Sequence, residues 1–584
     1  MSNIAPAMPQ DYFVKRSDPV YMAHAYLTKV PVAAIEPFIE ANTSPGDIVV
    51  DPFAGSGMTG VAAAALGRRA RLFDISVLGR HIGRNYVNLV HPAALQQAAD
   101  HALAGVQRRL GAVYAIKCHR CSSRATLAKT VWSFLIECPG CRKSVNFYRS
   151  LRDAEWHKGR MKCPSCATLV TSKARRVGEE ASLDYIDCQC SSTQLEQEPS
   201  AISAVLDGHG LTWPDVEITP DRQMYQASAL GKHGLTTIAS FYSPRNLAFL
   251  AALRDEISKV DDQRLRDKLL FAFTAVLTRA SKRYQWSVKR PLNAANANYY
   301  VAPIFYEWNV GDLFARKIEA AIRADQWLRA RQGTWSDGLF ADDQPDVQYE
   351  IASADKIPLD DGSVDYVFTD PPFGSNLFYA DMALFQEAWL DQFTDVSLEA
   401  VIDRGNGKKR TASRYELLLT AALKECHRIL KPGGRITMVF GNSTGAIWGL
   451  VQRAVQQAAL VIEPESVVIL NKGQRSVKGL ASGFEHVATM DLILSMREKN
   501  ADEKGELHRP GDEEVKVTTS RLLGSARADN PSHLYLELLR DGIRQGWDLS
   551  GIDLRSVTTT VQKSGWTVDP GSGRLVPDAR ALLA

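Results

Sequence analysis

The chain has 584 residues, 45% of them hydrophobic and 23% charged, with a formal net charge of +3. At roughly 100–200 residues per domain that length implies three or four domains, and the composition excludes a fibrous or globally disordered chain. No basic stretch followed by an apolar core opens the sequence, and the longest apolar run, residues 269–277, is far short of the ~20 residues needed to span a bilayer; a cytoplasmic protein is expected.

Residues 31–110 alternate helical and strand-like patterns: an amphipathic segment at 32–41, a strand beginning at Ile48, and a second strand at 70–73. Ile48-Val49-Val50-Asp51-Pro52-Phe53-Ala54-Gly55-Ser56-Gly57-Met58-Thr59 reads as a buried strand, a glycine turn and the start of an alanine-rich helix. Glycines in such a turn remove the side chains that would keep a ligand from the backbone. Asp74 follows the next strand, 17 residues after Gly57, a spacing that suits an acid hydrogen-bonding ribose hydroxyls. The run from Gly55 to Gly60 formally matches the Gly-x-Gly-x-x-Gly of dinucleotide oxidoreductases, but the Asp51-Pro52-Phe53 lead-in is foreign to that class.

The α/β rhythm breaks off near residue 111, and residues 111–200 hold eight of the nine cysteines. Cys118-x2-Cys121-x16-Cys138-x2-Cys141 has the spacing of a ribbon whose two knuckles close one tetrahedral zinc site. Cys163-x2-Cys166-x21-Cys188-x-Cys190 is a second candidate with a shorter final spacing. A disulfide network is the alternative, disfavoured in a cytoplasmic chain. Between Lys117 and Arg176 there are 14 Lys or Arg against three acids, the footprint of a phosphate-binding surface.

Residues 201–345 read as mostly helical, with Ser243 as a cap and Pro244 in the first turn of a helix. Arg279 to Trp286, with Lys289 and Arg290, interleaves positive charge with aromatics; it suits either contact with phosphates and unpaired bases or a packed helix with a basic face. The α/β rhythm resumes at Tyr349. The expected organisation is a catalytic domain split between residues 1–110 and 346–498, a cysteine-rich insertion at 111–200, a mostly helical insertion at 201–345 suited to target recognition, a linker at 499–514, and a small module at 515–584 with a helix from Pro531.

Within the second catalytic segment, the apolar run 364–369 delivers Asp370-Pro371-Pro372-Phe373. The exocyclic amine of a nucleobase is a poor nucleophile because its lone pair is delocalised into the ring. Two acceptors aimed at its hydrogens, the Asp370 carboxylate and the Pro371 carbonyl, can localise that pair, and two successive prolines leave the backbone no competing donor. Phe373 can stack on the base, which has to be flipped out of a duplex to be reached. Carbon-5 cytosine methylation needs a nucleophilic cysteine, whereas Cys426 lies in an amphipathic helix and reads as packing. Lys431-Pro432-Gly433-Gly434-Arg435 is the turn before a further strand.

With these residues assembled, the segment at 48–59 resembles motif I of the S-adenosylmethionine-dependent amino-methyltransferases of nucleic acids, whose loop wraps the amino-acid end of the donor. His24-Ala25-Tyr26-Leu27-Thr28-Lys29-Val30-Pro31 resembles their motif X, which brings Lys29 to the same pocket, and Asp355 stands at the motif III position that contacts the donor's adenine. Over roughly residues 20–500 the chain resembles the adenine-specific DNA methylases that contain a Zn-ribbon domain, a likeness that extends to His233-Gly234-Leu235 and to Phe241-Tyr242-Ser243-Pro244-Arg245-Asn246-Leu247. The resemblance implies an α/β, Rossmann-like methyltransferase sheet interrupted by a zinc-ribbon and helical insertion. It implies binding of S-adenosylmethionine by Lys29, Asp51, Phe53, Gly55, Gly57, Thr59, Asp74 and Asp355, and structural zinc on the eight cysteines. The implied product is N6-methyladenine in double-stranded DNA, within a restriction–modification or phage-defence system that has a nuclease or helicase partner. Departures are Phe373 where Tyr is commoner, Met58 for the usual Thr, and an insertion before the motif III strand. N4-cytosine methylation, RNA base methylation and a non-catalytic zinc-dependent DNA-binding subunit stay open as alternatives.

Overall fold

The computed structural model describes residues 11–15, 17–153, 160–171, 173–199, 210–287, 292–293, 299–333, 335–336, 339–340, 344–374, 377–403, 409–471, 488–503, 505–523, 525, 528–569 and 572–578. Its centre is a nine-stranded mixed sheet. Across the sheet the strands run Asp11–Phe13, Val468–Asn471, Asp491–Glu498, Leu430–Phe440, Val364–Thr369, Ile48–Asp51, Arg69–Asp74 and Val347–Ile351, with Leu460–Ile462 also paired to Asp491–Glu498. The five strands from Leu430–Phe440 to Val347–Ile351 are mutually parallel; Asp491–Glu498 runs antiparallel to all three of its neighbours.

Strands so placed bury both faces, and their apolar residues divide by alternation. Val49, Leu72 and Phe368 enter a core shared with the insertion, while Val50, Phe73 and Val367 enter one shared with the helices Ala412–Ile429 and Gly445–Gln457 and the C-terminal residues. Cys426 is 1% exposed in that second core, where burial pushes its thiol well up; it is packing.

The insertion is built on a second sheet, of eight strands, whose spine is the long antiparallel pair Arg124–Glu137 and Arg176–Asp187. Ile304–Trp308 pairs on the other side of Arg124–Glu137, with Tyr284–Gln285 and Leu292–Asn293 beyond it, so one sheet crosses the boundary drawn at residue 200. The helices Pro244–Ser258, Gln263–Ala280 and Val310–Arg331 pack beside it; Ser243 caps the first through Asn246 N, with Pro244 in its first turn. Buried Glu307 ties sheet to helix by accepting from Trp132 Nε1 (2.6 Å), Ser243 Oγ (2.7 Å) and Arg245 Nε (3.0 Å).

The C-terminal helices pack against the second core of the nine-stranded sheet. The helix Asp512–Leu522 begins inside the segment expected as a linker, and Pro531–Arg544 and Leu554–Lys563 follow. Gln452 donates to Trp547 O and accepts from Leu549 N. A Cβ on Gly445 would lie 2.6 Å from Ile552 N, so the glycine is what lets this layer approach. Among the described residues no helix is long and apolar enough to cross a membrane.

Candidate active site

The order of the parallel strands reverses between Ile48–Asp51 and Val364–Thr369. The chain leaves the first toward Arg69–Asp74 and the second toward Leu430–Phe440, in opposite lateral directions. In open α/β sheets the crevice at the carboxyl ends of two such strands is where ligands bind. These strands are adjacent, with Val49 opposite Tyr366 and Val50 opposite Val367. Asp51-Pro52-Phe53 and Asp370-Pro371-Pro372-Phe373 therefore emerge side by side, although 318 residues separate Asp51 from Thr369.

Asp51, 3% exposed, joins the two segments. Its Oδ1 accepts from Thr369 Oγ1 (2.9 Å) and Phe53 N (3.1 Å), and its Oδ2 from Thr59 Oγ1 (2.6 Å). Burial pushes its carboxyl up to about 7, partly offset by those donors. The glycine loop is held from both sides: Gly55 N donates to Asp74 Oδ2 (2.8 Å) and Gly55 O accepts from Tyr349 Oη (2.6 Å). Gly57, at φ +78°, has no room for a side chain, since a Cβ would lie 2.7 Å from Gly83 Cα. Asp74 also accepts from Ser76 N (2.8 Å), and burial raises its carboxyl above the ordinary range.

These groups open on a cleft of about 1030 Å³, counted to its open mouth. Of the residues singled out from sequence, Lys29, Asp51, Phe53, Gly55, Thr59, Asp74, Asp355, Asp370 and Pro372 line it; Gly57, Pro371 and Phe373 do not. Asp355 is exposed at the rim. Lys29 contributes to the wall, but its ammonium donates to the carbonyls of Tyr21 and His24, and burial lowers its pKa to about 7. The Phe373 ring packs edge-on to Phe440, with centroids 5.0 Å apart.

Sequence reasoning missed several participants. Tyr26 and Tyr379 line the cleft, and Tyr379 Oη lies 3.2 Å from Thr28 Oγ1. Glu399 also lines it, accepting from Ala380 N (2.9 Å) and pairing with Arg410, with its carboxyl raised by burial to about 7. Thr369 could have been read as the residue that sets the tetrapeptide; Glu399 has no spacing that would mark it.

Residues 8–91 match the N6/N4 methylase family, described as DNA methylase. Over this segment the chain is similar to the N6/N4 DNA methylases. A curated relative, "Putative methylase YubD" of Escherichia coli (strain K12), is 41% identical over 83 residues, which is 14% of this chain and 30% of that protein. The chain thus spans under a third of the length of the curated relative it matches. The family match contains Lys29, Asp51, the glycine loop and Asp74, and it ends before the cysteines and the tetrapeptide.

The eight insertion cysteines form two groups, but not in the order their spacing suggested. Cys118 and Cys121 meet Cys188 and Cys190, and Cys138 and Cys141 meet Cys163 and Cys166. The reason is the long strand pair. Thr126 stands opposite Asp187 and Ile136 opposite Arg176, so the knuckle before the first strand meets the knuckle after the second, and the inner two meet at the other end. Within each group the Sγ–Sγ distances between knuckles are 3.8 Å (Cys118–Cys190) and 3.4 Å (Cys121–Cys188) in one, and 3.5 Å (Cys138–Cys166) and 3.7 Å (Cys141–Cys163) in the other. Tetrahedral thiolates about 2.3 Å from a zinc ion would stand about 3.8 Å apart, so the donor set fits that metal. In a third group, Asp11 and Glu537 already pair with the guanidinium of Arg540 and with His533, which makes it an ion-pair network.

The run from Arg279 to Trp286 is largely packed. Arg279 lies over Trp308 (4.2 Å) and Tyr284 (5.1 Å), Lys282 pairs with Glu179 (2.7 Å), and Arg283 is 1% exposed over Phe385 (5.0 Å). Lys289 and Arg290 lie outside the described residues.

Proposed function

We propose that the protein is an S-adenosylmethionine-dependent DNA amino-methyltransferase acting on N6 of a flipped-out adenine, with a Rossmann-like catalytic sheet and a zinc-ribbon insertion that helps hold DNA. The observation that carries this reading is the meeting of the glycine loop and the Asp370 tetrapeptide at the carboxyl ends of adjacent parallel strands, bridged by Asp51. A cleft presenting Asp51, Asp74 and Asp370 suits a cationic ligand. When bound, S-adenosylmethionine supplies an electrophilic methyl on a sulfonium. Of the cleft residues, Gly55, Phe53 and Thr59 would hold its amino-acid end, Asp74 its ribose and Asp355 its adenine.

On the acceptor side, the Asp370 carboxylate and Pro371 carbonyl accept the hydrogens of the target amine and localise its lone pair. Phe373 offers a stacking face for the flipped base. Zinc at both thiolate groups is structural, all four positions of each being filled by protein. Reduced thiolates fit a cytoplasmic setting, and a place in a defence system beside a nuclease or helicase is part of the proposal. Asp370 favours adenine over cytosine, where a Ser usually takes that place.

Methyl transfer from labelled S-adenosylmethionine to genomic DNA and to total RNA, with nucleoside mass spectrometry, tests this. N6-methyladenine in DNA is expected. N4-methylcytosine would keep the mechanism and overturn the base, and labelled RNA alone would overturn the substrate class.

A further inference from the structure

The chemistry assigned to the tetrapeptide depends on where its oxygens point. Three consecutive carbonyls beyond Pro371 are each held by a different part of the chain. Pro372 O accepts from Tyr415 Oη at 2.6 Å, Phe373 O from Asn442 Nδ2 at 2.8 Å, and Gly374 O from Ile402 N at 3.3 Å. Tyr415 is 1% exposed on the helix Ala412–Ile429, and Asn442 is 7% exposed just past the strand Leu430–Phe440. Asn442 is itself fixed, since its Oδ1 accepts from Thr444 N (2.9 Å) and its carbonyl from Trp448 Nε1 (3.0 Å). The Asp370–Pro371 and Pro371–Pro372 peptide planes carry no N–H, and the three carbonyls that follow tie this turn to the rest of the fold.

We propose that Tyr415 and Asn442 are positioning residues for methyl transfer: by clamping the Pro372 and Phe373 carbonyls, they hold the Asp370 carboxylate and the Pro371 carbonyl at the two hydrogens of the target amine. This rests on the reading of the tetrapeptide as the acceptor site. Neither side chain lines the cleft assigned to the donor. Loss of either clamp therefore acts on the chemical step and not on donor binding.

The test is steady-state kinetics on the purified full chain carrying Tyr415→Phe or Asn442→Ala, with thermal melting of each. A fall in kcat of about ten- to a hundredfold is expected, since a displacement on the order of 1 Å at a reacting group costs about that much. KM for S-adenosylmethionine and for DNA should move less than about twofold, with the melting temperature near wild type. Combined with Asp370→Asn, either variant should add little, because the clamp works only through the acceptor pair. Should Asp370→Asn be inactive, the split between kcat and KM decides alone. Wild-type kcat in both variants, a change confined to KM, or full additivity with Asp370→Asn would overturn the clamp. Wild-type turnover by Asp370→Ala would instead overturn the underlying reading of the tetrapeptide, so the two failures are distinguishable.

Discussion

The nested cysteine pairing can be tested by counting metal in double variants. Thr126 and Ile136, which stand at the two ends of the long strand pair, are ten residues apart on one extended strand, and at ~3.3 Å per residue those ends lie about 33 Å apart. No ion with ~2.3 Å bonds to sulfur can draw on knuckles at both ends, so a site made from Cys118, Cys121, Cys138 and Cys141 is sterically closed. The nested groups make opposite predictions from sequential ones. Wild type should carry about two zinc ions per chain, and Cys121→Ser with Cys188→Ser should leave about one, because both thiols belong to one group. Cys121→Ser with Cys138→Ser should leave about none, because each group loses a ligand. Sequential pairing reverses the two outcomes. Both variants lose two thiols from the same sheet, so a general folding defect would lower them alike. Inductively coupled plasma mass spectrometry on purified protein reads the difference directly. About one zinc in the Cys121/Cys138 variant together with none in the Cys121/Cys188 variant would refute the strand-register argument.

Three further outcomes follow from buried charge. Asp51, raised by burial to about 7, is partly protonated near neutral pH, and a sulfonium in the cleft favours its ionised form; S-adenosylmethionine binding at pH 7 should release a fraction of a proton. Calorimetry in buffers of different ionisation enthalpy measures this, and net proton uptake would contradict it. Glu307→Ala would strand the Arg245 guanidinium, whose side chain is 11% exposed, and should cost about 3–5 kcal/mol by urea unfolding, with Glu307→Gln costing less. Burial alone would lower the pKa of His533, but Asp11, Asp529 and Glu537 raise it above its ordinary value in the presence of Arg540. Its contribution to stability is full below the unfolded pKa of about 6.5 and is lost as pH rises through the folded value; His533→Gln should flatten that part of the stability profile.

What could be read from sequence was whatever is local. Ile48-Val49-Val50 and the apolar run at 364–369 each declare a buried strand through β-branched and aromatic residues, and each ends in Asp or Thr followed by a chain reversal. That the two strands would be neighbours is not a local property. The chemistry of the two motifs asks only for a common site, and the hydrogen bond from Thr369 to Asp51 is the contact that brings their ends together. The cysteine spacings likewise identify knuckles, because one or two residues between thiols is a local closure. Which knuckles meet depends on the register of strands 12 to 14 residues long, and no spacing rule contains that register.

The clamp residues lie at the far limit of this reasoning. Tyr415 sits on an ordinary amphipathic helix and Asn442 two residues beyond a strand, and neither has a neighbour in sequence that hints at a role. Their significance comes from what the prolines lack. Pro371 and Pro372 offer no backbone donor, and buried donors from elsewhere in the fold engage the Pro372 and Phe373 carbonyls instead. No sequence pattern marks such donors; the packing of Ala412–Ile429 and the end of Leu430–Phe440 against that loop says which side chains they are.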